Sequence, residues 1–74
     1  MPNRTVRHRR LLAEAIRRHR KNAALTQEEL AELADLNPKY ISEVECGAKN
    51  ISVDALVRIA EATKTPVYEF FQEF

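Results

Sequence analysis

An all-α, compact five-helix bundle with a central helix-turn-helix follows from three observations on this 74-residue chain. Two short segments with helical apolar spacing, each opened by a capping residue, lie back to back between Thr26 and Gly47. Glycine occurs once, and no stretch alternates β-branched with polar residues, so nothing favours strands. Hydrophobic residues make up 45% and Trp is absent, which leaves an aliphatic core drawn mainly from Leu, Ile, Val and Ala. The length suits one domain over residues 1–74 with a small core.

The first helix is expected from about Thr5 to about Asn22, with Leu12, Ala15 and Ile16 facing inward, behind a short basic tail at residues 1–4 that should fray. Thr26 opens the second. Its hydroxyl can accept from first-turn amides, and Glu29 three residues on completes a capping box. Leu30, Leu33 and Ala34 then recur at helical spacing, with Glu28, Glu29 and Glu32 on the wet side. Asp35 and Leu36 break the pattern after two turns. Asn37 caps the third helix and Pro38 takes its first position, where the missing N–H costs nothing. Ile41 and Val44 form its apolar stripe, and Gly47 ends it in the left-handed conformation. Two helices this close in sequence fit a helix-turn-helix better than a hairpin with longer arms. Lys49 and Asn50 lie in a loop. Ser52 caps a fourth helix, which carries Leu56, Ile59 and Ala60 on one face and Asp54 in its first turn. Thr65-Pro66 opens a short fifth helix with Val67, Phe70 and Phe71.

The net charge of +1 conceals a split. Residues 1–22 hold eight Lys and Arg against one acid, a charge of +7, and the remainder holds four bases and ten acids, or −6. Such a basic segment is either a solvated helix face that aids solubility or a surface for phosphate. The lone Cys46 cannot form an internal disulfide, and no apolar run has signal-peptide or membrane-spanning length. A soluble cytoplasmic protein without membrane association is therefore expected. No nucleophile–base pair, carboxylate pair or metal-ligand cluster stands out, so no enzyme activity, catalytic residue, cofactor or metal is expected.

The stretches LAEAIRRHRK, LTQEELAELADLNPKYISEVECG, ISVDALVRIAEA and PVYEFF, in that order, resemble the lambda-repressor-like, Cro/C1-type (XRE) helix-turn-helix family from about Leu12 to Phe71. The short length is similar to that of small stand-alone regulators, among them restriction–modification controller proteins, phage-type repressors and antitoxin-like repressors. The resemblance implies that Gln27 contacts phosphate and braces the third helix. It sets Pro38, Lys39 and Glu43 toward base edges, with Asn37, Tyr40 and Ser42 flanking them, and Lys49 and Asn50 at backbone phosphate. It also implies a partly buried ion pair between Arg20 and Glu45. His19 stands where the family usually has an apolar residue, and Ala24 and Lys64 where glycine is common.

Several residues admit two readings. Lys39 either reads guanine O6 and N7 or is a solvated lysine. Tyr40 packs on a thymine methyl, bonds phosphate or covers the core edge. Glu43 accepts from cytosine N4 or only balances Lys39. Arg7, Arg9 and Arg10 are read as helix-surface charge rather than a DNA arm, Cys46 as a turn residue and His19 as a packed histidine. Tyr68, Phe70, Phe71 and Phe74 are too many aromatics for so small a core, so one or two should fill it, and the four are the candidates for a homodimer interface through the fifth helix and part of the fourth. The sequence thus suggests a sequence-specific regulator that binds a pseudo-palindromic double-stranded DNA operator as a homodimer. The alternative is an antitoxin-like or coactivator-like module that grips a protein partner with the same fold.

Overall fold

A computed structural model describes residues 4–72 and 74, with side chains from residue 7 onward except Glu73. The chain forms α1 (Arg4–Asn22), α2 (Gln27–Ala34), α3 (Pro38–Glu45), α4 (Val53–Ala62) and a closing 3-10 helix (Val67–Phe71). The architecture is therefore four α-helices and a 3-10 segment rather than five α-helices. Pro66 supplies no side-chain cap, and five residues are too few to nucleate an α-helix, so the chain takes the tighter i→i+3 turn. Helix α1 already includes Arg4, one residue before the expected start, while the rest of the expected tail, residues 1–3, lies outside the described residues.

The starts of α2, α3 and α4 are fixed by side chains. Thr26 Oγ1 accepts from Glu29 N at 3.0 Å while Thr26 N donates to Glu29 Oε1 at 2.9 Å, a complete capping box. Asn37 Oδ1 accepts from Lys39 N at 2.8 Å, and Ser52 Oγ from Ala55 N at 3.1 Å. The four α-helices also end alike. Leu25 N donates to Arg20 O at 3.2 Å and Ala24 N to Lys21 O at 2.9 Å, and the same pair of hydrogen bonds closes α2 (Leu36 to Ala31, Asp35 to Glu32), α3 (Ala48 to Glu43, Gly47 to Val44) and α4 (Thr65 to Ala60, Lys64 to Glu61). This motif needs one left-handed residue. Ala24, Asp35, Gly47 and Lys64 take it, with φ of 60°, 56°, 78° and 55°. Only one of the four is glycine.

Each element gives the core one fully buried large side chain: Ile16, Leu30, Ile41, Ile59 and Phe70. Helix α2 packs against α3 and α4, while α1 packs against α3 and the closing 3-10 helix. Leu33 departs from the expected stripe. It is 62% exposed, because α2 turns Leu30, Ala31 and Ala34 inward instead. His19 lies against the Phe70 ring, centroids 4.7 Å apart, with its buried Nε2 lacking a hydrogen-bond partner. Among the described residues no helix is long and apolar enough to cross a membrane.

Candidate nucleic-acid interface

The eight residues of α3 divide by environment. Ile41, Val44 and Glu45 point into the protein, Tyr40 and Glu43 are half-buried, and Pro38, Lys39 and Ser42 are exposed with the capping residue Asn37. Residues 39 and 42 are three apart, so they share one outward face near the helix start. The Lys39 ammonium has no ion-pair or hydrogen-bond partner among the described residues. Asn37 spends its side-chain oxygen on the cap, which leaves its amide N–H groups as outward donors.

One flank of α3 is locked by a buried network. Arg20 Nε donates to Glu45 Oε2 at 2.7 Å and Arg20 Nη2 to Glu45 Oε1 at 3.0 Å, a two-pronged pair. Arg20 Nη1 also donates to Leu25 O at 2.8 Å, tying the pair to the turn after α1. Gln27 Nε2 donates to Glu45 Oε1 at 3.1 Å. The first residue of α2 is thereby joined to the last residue of α3, and the remaining amide N–H of Gln27 stays available. This network pins the C-terminal end of α3 to α1 and to the start of α2.

The other flank is open to water. Lys49 Nζ lies 3.4 Å from Glu43 Oε1 and 5.7 Å from the Tyr40 ring centre. Tyr40 Oη accepts from Ser52 N at 3.1 Å, so this tyrosine anchors the start of α4 and keeps its own O–H to donate. Glu43 pairs with Lys49 from the following loop and not with Lys39. Asn37, Lys39, Tyr40, Glu43 and Lys49 together line one shallow surface depression. Asn50 sits apart from it. Its Oδ1 accepts from Arg9 Nε at 2.9 Å, and Arg9 Nη1 reaches Gly47 O at 3.5 Å. Arg9 is thus a clamp on the loop after α3, a role that sequence reasoning missed because the two partners are 41 residues apart.

The aromatic tail is split. Of the four aromatics considered for a dimer interface, Phe70 is 0% exposed and fills the core against His19, so it has no surface to offer a second copy. Tyr68, Phe71 and Phe74 are 68%, 41% and 52% exposed. Phe71 and Phe74 meet edge to face at 5.3 Å, and His8 stacks on Phe74 at 5.2 Å. Val53 and Val57 of α4 are also exposed.

Comparison with known proteins finds the same architecture elsewhere. A family model described as a helix-turn-helix matches residues 16–70, which include all of α2, α3 and α4. The control protein C.SmaI of Serratia marcescens is 39% identical over 57 residues, covering 77% of this chain and 68% of that protein. The clp gene regulator ClgR of Corynebacterium glutamicum superimposes with a TM-score of 0.85 at 33% identity, over 89% of this chain and 70% of the other. The restriction-modification controller protein C.AhdI of Aeromonas hydrophila gives 0.82 at 30% identity, over 85% and 96%.

Proposed function

Since this chain belongs to the helix-turn-helix family HTH_3, we propose that it is a sequence-specific DNA-binding transcriptional regulator that binds a pseudo-palindromic operator as a homodimer. The observation that carries this reading is the unpaired, exposed Lys39 in the first turn of a helix whose other end is held by the Arg20–Glu45–Gln27 network. A cation so placed enters the major groove and reaches guanine O6 and N7. Pro38 offers only apolar contact, to a thymine methyl, and Glu43 accepts from cytosine N4. Asn37, Tyr40 and Ser42 bond at the edges of the site. Gln27, Lys49 and Asn50 take phosphates. The relatives support the reading by what they are: a gene regulator, a restriction-modification controller and a control protein.

Tyr68, Phe71 and Phe74, with exposed Val57, form the face that a second copy covers. A two-fold axis there sets two α3 helices about 34 Å apart, one turn of DNA. The bound dimer blocks polymerase or recruits it, according to where the operator lies.

The test is selection from a randomised duplex library at two salt concentrations, with the bound pool sequenced. The expected result is an enriched palindrome bound with steep salt dependence, and sedimentation at micromolar concentration giving twice the 8.5 kDa of one chain. The double variant Lys39→Ala, Gln27→Ala should lose binding to the enriched duplex. Salt-sensitive binding without any enriched motif would remove the sequence-specific reading and favour a module for a protein partner.

A further inference from the structure

Helix α1 carries charge that the site described above does not use. Arg7, Arg10, Arg17 and Lys21 are all exposed, and none has an ion-pair or hydrogen-bond partner among the described residues. Their spacing of three, seven and four residues keeps them on one face of the helix, opposite Leu12, Ile16 and His19. At 1.5 Å per residue they span about 21 Å, a length over which B-DNA presents about six phosphates per strand. A single acid, Glu14, interrupts the row.

The middle of the row lies beside the C-terminal end of α3. Arg10 and Arg17 line one surface depression together with Glu45, Cys46 and Gly47, the last residues of α3 and its cap. A duplex that sits on Lys39 and Ser42 and extends past Cys46 would meet this part of α1. The row also lacks what a protein partner needs. Among the described residues the large exposed hydrophobics are Leu33, Val53, Val57, Tyr68, Phe71 and Phe74, and none of these lies on α1. A protein interface takes most of its energy from a few buried apolar or aromatic anchors. Regularly spaced cations without such anchors fit a polyanion whose charges are themselves regularly spaced.

We infer that Arg7, Arg10, Arg17 and Lys21 form a second, sequence-independent phosphate track, which extends the footprint from the operator half-site onto the DNA beside it. The inference rests on the DNA-binding reading and adds a partner for a separate face. Operator strength then depends on the length of DNA around the motif as well as on the motif.

The experiment compares the wild type with the triple variant Arg10→Gln, Arg17→Gln, Lys21→Gln. Glutamine is a comparable helix former, and circular dichroism checks that the fold is kept. Two probes are used: the motif enriched by selection, trimmed to its ends, and the same motif with ten base pairs added on each side. Affinity is followed from 50 to 200 mM salt. The wild type should bind the longer duplex more tightly and with a steeper salt slope than the trimmed one. The variant should treat both alike. On the longer duplex its slope should be shallower by about 2.7 per protomer, so that the wild type loses about 40-fold more affinity per protomer across that range. Equal slopes for variant and wild type on the longer duplex would overturn the track and leave a solvated face. An equal loss on the trimmed duplex would also overturn it, since the charges would then act only through the field of the whole protein. A wild type that enriches no motif and binds neither a mixed-sequence duplex nor the random pool would remove the DNA-binding reading and the track with it.

Discussion

Two carboxylates on α3 each meet one cation, and they teach opposite lessons. Glu45 is buried, gripped at two oxygens by Arg20 and capped by Gln27. Glu43, two residues earlier, meets Lys49 at 3.4 Å with both side chains substantially in water. The chemistry is the same and the surroundings are not. In the buried pair, each charge has lost its water and depends on the other. In the exposed pair, water or a phosphate can replace either partner at little cost. One flank of the helix is therefore scaffold, and the other is a counter-ion that a ligand can exchange.

Breaking the buried side should cost most. Arg20→Ala leaves the Glu45 carboxylate without its cation, and the expected loss is about 3–5 kcal/mol. A chain of this size has roughly 4–11 kcal/mol in all, so the variant should be near its folding limit in urea titrations. The double change Arg20→Met, Glu45→Leu should recover most of that loss, because no charge stays buried. A single-variant loss below about 1 kcal/mol would erase the difference between the two flanks.

Lys39→Ala probes the outward face between those flanks. Removing a base contact costs about 1–3 kcal/mol, roughly 5- to 150-fold in affinity for the enriched duplex. Unfolding should be unchanged, since Lys39 has no partner to lose among the described residues. A matching drop in stability would show that the residue belongs to the scaffold.

How much of this the sequence disclosed depended on how local each signal was. The caps at Thr26, Asn37 and Ser52 and the left-handed Gly47 rest on neighbours within a few residues, so they could be read directly. The family resemblance placed Arg20 beside Glu45, which no local pattern would have done. It gave no hint that Arg9 clamps Asn50 or that Lys49 takes Glu43, because those pairs depend on how the loop folds back. Leu33 was misread because an eight-residue helix has too few positions to fix its buried face by period alone. Asp35 gave no sign of its positive φ, whereas Ala24 and Lys64 were visible as departures from a common glycine. Each of those three strains its helix end, so Ala24→Gly should stabilise by about 1 kcal/mol and raise Tm by about 4–8 °C. Calorimetry on the single variant checks this, and an unchanged or lower Tm would mean that the unfolded-chain entropy of glycine cancels the relief.

The weakest effect should come from the exposed pair, and it bears most directly on the difference between the flanks. Lys49→Ala removes an ion pair worth about 0.2–1 kcal/mol, and salt should shrink that contribution further. Its cost to DNA binding should come from a lost phosphate contact, flattening the salt slope by about 0.9 with sequence preference unchanged. Glu43→Gln works in the opposite direction. With its competitor neutral, Lys49 is free for phosphate before DNA arrives, so affinity for a random duplex pool should rise by roughly 1.4- to 5-fold, the same 0.2–1 kcal/mol expressed as a ratio. If affinity fell instead, Glu43 would be positioning Lys49 rather than competing for it. The exposed flank would then be scaffold too, differing from the buried flank in degree alone.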